Sequence, residues 1–156
     1  MSAPSSEPAA SIDPTTLTVG VLGGTGNQGK GLALRWAQAG IRVVVGSRAV
    51  ERAESSAQEY CDATGVDHVR GTDNATCAAE ADVVLAAIPW ESHGETLRGL
   101  VEPLRGKIVI DCVNPIGFDR KGPYPLPVDE GSAAQQAERI LPESRVTAAF
   151  HHVSAV

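Results

Sequence analysis

No apolar stretch in the chain approaches the ~18 residues that a membrane-spanning helix needs, so the sequence reads as that of a soluble protein. Basic residues are in short supply as well: 13 Lys and Arg stand against 19 Asp and Glu, a net charge of −6. That balance argues against nucleic acid or an anionic membrane as partner, and leaves room only for a local basic pocket. Cysteine is scarce. Cys61, Cys77 and Cys112 form an odd set in which no pair has the spacing of a zinc site or of a redox Cys-x-x-Cys. They read as small thiols in a reducing cytosol, which makes the expected location cytoplasmic. A Ser-His-Asp order, a His-Glu-x-x-His helix and a paired-carboxylate constellation are all missing, so hydrolytic and metal-centred chemistry are not expected. Residues 1–16, with Pro4, Pro8 and Pro14 among serines and alanines, have neither a basic start nor an apolar stretch. They are expected to be a disordered lead-in and not a secretory signal. With 156 residues at 42% hydrophobic content, the remainder suits one domain over residues 17–156.

What the chain does have is concentrated between Thr18 and Arg48. Leu17-Thr18-Val19-Gly20-Val21-Leu22 reads as a short buried parallel strand that stops at the turn Gly23-Gly24-Thr25-Gly26-Asn27-Gln28-Gly29. Gly24, Gly26 and Gly29 have the Gly-x-Gly-x-x-Gly spacing. Gly24 is expected to permit the tight turn, Gly26 to let phosphate approach the backbone, and Gly29 to let the helix pack closely on the sheet. Leu32, Ala33, Trp36, Ala37 and Ala39 then recur at helical spacing, and Gly40 supplies a stop. A helix starting at such a turn aims unsatisfied N–H groups and its positive dipole end at an anion. A glycine turn without a ligand is the alternative.

The second strand, Val43 to Gly46, ends without the Asp or Glu that an NAD site uses to accept hydrogen bonds from the adenine ribose. Ser47 and Arg48 stand there instead. A carboxylate would repel a 2′-phosphate, whereas a guanidinium pairs with it and a hydroxyl adds one hydrogen bond, so the expected cofactor is NADP(H). Arg52, four residues on, either adds a second positive charge or lies on a solvated helix face.

Beyond it the pattern alternates. Helices are expected at 50–64, 74–81, 92–104 with a break near Pro103, and 132–141. Strands are expected at 68–70, 82–88, 107–111 and 145–150. Six strands with intervening helices predict a doubly wound parallel α/β sheet of Rossmann type, in the order 3-2-1-4-5-6. Ligands of such sheets bind beyond the carboxyl ends of the strands where the order reverses. Ala87, Ile88, Pro89 and Trp90 would form an apolar wall there for a nicotinamide, with Trp90 as a packed core aromatic the competing reading. Asn114 would orient the carboxamide or cap a turn, and His151 or His152 would face the ligand or be structural. The proline-rich segment after Ile116, with Arg120 and Lys121, is either a lid or binding loop or an ordered surface loop.

The runs Val19 to Arg35, Val44-Val45-Gly46-Ser47-Arg48 and Ile88-Pro89-Trp90-Glu91 resemble the NADPH-dependent coenzyme F-420 reductases. The glycine turn and the Gly-Ser-Arg ending also occur in the cytoplasmic domain of membrane ferric reductases. Ile88-Pro89-Trp90 and the tail 149–155 favour the deazaflavin enzymes, with Ser154 in place of their usual Pro. The resemblance implies hydride transfer between NADP(H) and the 8-hydroxy-5-deazaflavin coenzyme F-420, its second substrate, with no covalent nucleophile. It implies that Thr25, Gly26, Asn27 and Gln28 hold the pyrophosphate, and that Ser47, Arg48 and Arg52 hold the 2′-phosphate. Trp90, Asn114 and Ala155, beside Ile88 and Pro89, would hold the nicotinamide half, with His151 near the deazaflavin. Family members continue through a helical carboxy-terminal part that helps to close the deazaflavin pocket and form a homodimer, and the chain is expected to lack it. An NADP-binding sensor or regulatory module without catalysis, and a reductase of ferric iron, a flavin or an imine, are the other expectations.

Overall fold

Thr18–Leu22 forms β1 because its β-branched residues fit a strand covered on both faces, and Val21 and Leu22 are fully buried. The computed structural model describes residues 12–155. β1 lies between β2 (Arg42–Ser47) and β4 (Val83–Ala86), parallel to both, with Val21 opposite Val45 and Leu85. β3 (Val69–Asp73) extends the sheet beyond β2, and β5 (Ile108–Asp111) and β8 (Arg145–Ala148) extend it beyond β4. The order β3-β2-β1-β4-β5-β8 is the expected doubly wound arrangement, with β8 as the sixth strand of the sheet.

Successive strand residues point to opposite faces, and the two cores divide accordingly. Val43, Val45 and Leu85 pack under α1 (Asn27–Gln38) and α2 (Val50–Thr64). Val44, Val84 and Val109 pack under α3 (Asn74–Glu80), α4 (Trp90–Arg98), α5 (Val101–Leu104) and α6 (Ala133–Ile140). Each helix sits where local chemistry starts or stops it. The Asp73 carboxylate accepts from the amides of Ala75 and Thr76 to cap α3, Ser132 caps α6 through the amide of Gln135, and Gly65 ends α2 at φ 72.

Four expectations need correction. The helical stretch after Trp90 breaks at Gly99 and Leu100, not at Pro103, which lies inside the single turn of α5. Proline is tolerated in a first turn because its missing N–H has no helical partner there. The last strand stops at Ala148, and Phe150 beyond it adopts φ 67, a left-handed conformation at the start of a turn in which the Val153 amide donates to the Phe150 carbonyl. The segment after Asn114 is an antiparallel hairpin, β6 (Ile116–Asp119) and β7 (Gly122–Pro125), with Phe118 and Tyr124 exposed. Order also begins before residue 17: Pro14–Thr16 make a 3-10 turn capped by the Asp13 carboxylate. The part of the lead-in at residues 1–11 lies outside the described residues. Among the described residues no helix is long and apolar enough to cross a membrane.

Candidate cofactor site

The turn after β1 is shaped by Gly23 more than by Gly24. Gly23 has φ 72, and a Cβ there would stand 2.5 Å from the carbonyl oxygen of Ala87. Gly24 lacks positive φ; its role is to press the turn onto the sheet, where a Cβ would meet Val45 Cγ1 at 2.9 Å. Gly29 acts as expected: a Cβ would lie 2.8 Å from Gly24 Cα and push α1 off the turn. Tyr60 secures the arrangement from α2, its buried hydroxyl donating to the Gly24 carbonyl at 2.7 Å. Burial pushes its phenol up from the usual value, so it stays protonated and donates. Gly23→Ala is expected to cost about 1–3 kcal/mol through left-handed strain and crowding, a loss that chemical denaturation of the two proteins measures.

Gly26 caps α1 without any side-chain cap, and the first turn of α1 holds no acidic residue. The N–H groups there are therefore free for an anion, in contrast to the carboxylate-capped α3. In front of them opens a cavity of about 620 Å³, lined by Thr25, Gly26, Asn27 and Gln28 on the turn side and by Ser47, Arg48 and Arg52 opposite. Arg52 Nη2 lies 3.5 Å from Thr25 Oγ1, which puts this guanidinium on the cavity side of α2. Among the described residues neither Arg48 nor Arg52 has an acidic partner within ion-pair distance. Ser47 is buried at the end of β2, and its Oγ accepts from the Ala49 amide at 3.2 Å, leaving the hydroxyl proton to donate outward.

The same cavity is lined by Asn74, Ala49, Ser92 and Thr96, which sequence reasoning did not single out. Asn74 follows β3 directly and was legible only as a helix start, although its place at the carboxyl end of a parallel strand was a usable signal. Its Oδ1 is buried without a hydrogen-bond partner among the described residues. An orphaned acceptor, an uncapped helix start and two unpaired guanidiniums fit the phosphates and polar edges of a dinucleotide.

A second cavity of about 240 Å³ adjoins the first and shares Gln28, Ala87, Ile88 and Pro89 with it. Trp90, Cys112, Val113, Asn114, Phe150 and His151 complete its lining. The expected apolar wall is thus assembled, and Trp90 is both wall and partly buried packing residue. Asn114 Nδ2 donates to the His151 carbonyl at 3.1 Å, and Gln28 Nε2 reaches the Phe150 carbonyl at 3.4 Å. The strained Phe150 therefore sits at the rim, its ring edge-on to Trp36. Burial, with the neighbouring Asp111, pushes the Cys112 thiol up to about 12, so it is a neutral wall residue and not a nucleophile. Ala155 is not brought in: it lines neither cavity, and its carbonyl packs against Gly31 of α1. Arg120 and Lys121 line neither cavity either.

Behind Trp90 lies a group that sequence reasoning missed. His93 and Asp111 are both fully buried, with His93 Nε2 at 2.6 Å from Asp111 Oδ2. His93 Nδ1 lies 3.0 Å from Gln136 Oε1. Burial pulls the imidazole down, but hydrogen bonds to Asp111 and Gln136 and the charges of Asp111 and Glu130 outweigh it and raise His93 above 6.5. A signal existed: an Asp ending the apolar run Ile108-Val109-Ile110 would be buried and would require a partner.

This sheet order, with a glycine turn at the switch point and an anion-ready helix start above it, defines a Rossmann-type fold. Solved structures agree on the fold. A lactate dehydrogenase from Cryptosporidium parvum superposes with TM-score 0.66 at 16% identity, over 90% of this chain and 44% of that one. A malate dehydrogenase from Plasmodium falciparum gives 0.60 at 13% identity, over 86% of this chain and 45% of that one. Residues 18–115 match the family described as NADP oxidoreductase coenzyme F420-dependent, and the chain belongs to that family. The F420-dependent NADP reductase of Methanothermobacter marburgensis is 41% identical over 145 residues, which are 89% of this chain and 65% of that protein. The enzyme of the same description from Methanocaldococcus jannaschii is 37% identical over 144 residues, 88% of this chain and 64% of that protein. The chain thus spans about 65% of the length of the relatives it matches.

Proposed function

We propose that this chain transfers a hydride between NADP(H) and coenzyme F420. The observation that carries the reading is the basic corner of Ser47, Arg48 and Arg52 facing the Thr25–Gln28 turn across one cavity, which opens into the apolar pocket at Trp90. In this reading the turn and the start of α1 hold the pyrophosphate, Ser47 donates to the 2′-phosphate, and the two guanidiniums neutralise it. Ile88, Pro89 and Trp90, which line the second cavity, would hold the nicotinamide, with Asn114 orienting its carboxamide and His151 facing the deazaflavin. The bound nicotinamide would exchange the hydride with the deazaflavin. The protein's part is to align two rings and exclude water, and a neutral apolar wall serves both. The same reading has the protein act in the cytoplasm as a homodimer on small-molecule cofactors, with no nucleic-acid or membrane partner. The net charge of −6 supports the last point.

The test is to mix the purified chain with NADPH and oxidised F420 and follow deazaflavin absorbance. Bleaching that depends on NADPH is the expected result. NADPH binding without bleaching assigns the chain to binding alone, and faster turnover of a flavin, imine or ferric acceptor moves it to another reductase class.

A further inference from the structure

The two nitrogens of His93 both face acceptors. Asp111 Oδ2 is a carboxylate oxygen at 2.6 Å from Nε2, and Gln136 Oε1 lies 3.0 Å from Nδ1. Gln136 has its orientation imposed from outside. Its Nε2 donates to Glu130 Oε2 at 3.2 Å, and turning the amide over would set its oxygen against that carboxylate. Glu130 stays ionised, since its own backbone amide and Gln136 hold its carboxyl below the usual range, with Arg139 and Arg98 nearby as counter-charges. A neutral imidazole would aim a lone pair at one of the two acceptors in a site closed to water. With Asp111 ionised, only the doubly protonated ring satisfies both.

Each member of this network holds a different element. His93 is on α4, Asp111 ends β5, Gln136 is on α6 and Glu130 lies just ahead of α6. The same Asp111 carboxylate accepts from the Val113 amide at 2.9 Å through Oδ1, and so fixes the turn that carries Asn114. The His93 ring lies 5.5 Å from the Trp90 ring at 31°. A chain of contacts therefore runs from Trp90 through His93 and Asp111 to Val113 and Asn114, and on from Asn114 to the His151 carbonyl. Its outer members all line the second cavity. An apolar pair of similar volume would serve stability as well as a buried ion pair does, so stability alone gives no reason for charge here.

We propose that His93 is held as a buried imidazolium by Asp111 and Gln136, and that this ion pair fixes Trp90 and Asn114 as a preformed wall for the nicotinamide end of the cofactor. His93 and Asp111 are positioning residues, since neither lines either of these two cavities. The role rests on the NADP(H) reading above; the protonation state does not.

Long-range proton–nitrogen spectra of the labelled wild-type chain at neutral pH should give His93 with protons on both nitrogens. A single neutral tautomer overturns the proposal without any variant having to fold. Titrations then separate the two halves of the site. Asp111→Asn and His93→Gln are expected to weaken NADPH by about tenfold while leaving adenosine 2′,5′-bisphosphate, which lacks the nicotinamide half, within about twofold. Gln136→Leu, which removes the bonds of this half-buried residue to His93 and to Glu130, is expected to weaken NADPH by about threefold and keeps the comparison open if the buried variants fail to fold. Equal losses for both ligands, or none, overturn the positioning role. Wild-type protein that binds neither ligand overturns the NADP(H) reading and with it the role of the wall, and the spectra still decide the imidazolium.

Discussion

Ser47→Asp combined with Arg48→Ala is expected to lower NADPH affinity by about a hundredfold or more, while NADH affinity changes by less than about threefold. Two hydrogen bonds to a charged phosphate are worth about 1.5–3 kcal/mol each, and about 1.4 kcal/mol corresponds to tenfold. The new carboxylate adds repulsion toward the 2′-phosphate and can accept from the ribose hydroxyl of NADH instead. The exchange suits the local backbone, because Ser47 Oγ already accepts from the Ala49 amide and a carboxylate oxygen can do the same. Fluorescence titration with both nucleotides reads the result. An equal loss for NADPH and NADH would mean that the pair shapes the cavity without reading the phosphate.

Asp111→Ala is expected to be the most destabilising single change near the site. Removing one partner of a fully buried ion pair strands the other, a cost of about 3–5 kcal/mol, or about 6–20 °C in melting temperature for a chain of this size. The sign of the pH dependence follows from His93, whose native value is raised above its ordinary 6.5. Its stabilising contribution is fully present below about pH 6.5 and is lost as pH rises through the raised native value. Wild-type stability should therefore fall as pH rises above about 6.5. In Asp111→Ala the trend weakens or reverses, because an unpaired buried imidazole prefers to be neutral. Melting curves of both proteins across this pH range decide the matter.

The half of the fold around the glycine turn was legible because its signals are local. A β-branched run, a glycine turn and an amphipathic helix lie in one continuous stretch, and the helix Val50–Thr64 has the bounds expected of it. Ser47 and Arg48 were informative for the same reason: their chemistry can be read at one strand end. What stayed hidden depends on distant parts of the chain meeting. His93 and Asp111 are 18 positions apart and Gln136 is 43 from His93, so no local pattern links them. The left-handed Gly23 could not be told from Gly24 by spacing, since either glycine tolerates positive φ. The break at Gly99 was missed because Pro103 is the stronger helix-breaking signal, and position within a turn decides whether proline breaks anything. The hairpin after Asn114 was obscured by its prolines, which an isolated two-stranded ribbon accommodates because both of its strands are edges.

The proposed role of the basic corner of Ser47, Arg48 and Arg52 is to read a 2′-phosphate. Calorimetric titration of the wild-type chain with NADPH and with NADH tests it most directly. The expected result is tighter binding of NADPH by at least about tenfold, a preference that shrinks as salt screens the two exposed guanidiniums. Equal or tighter binding of NADH would contradict it.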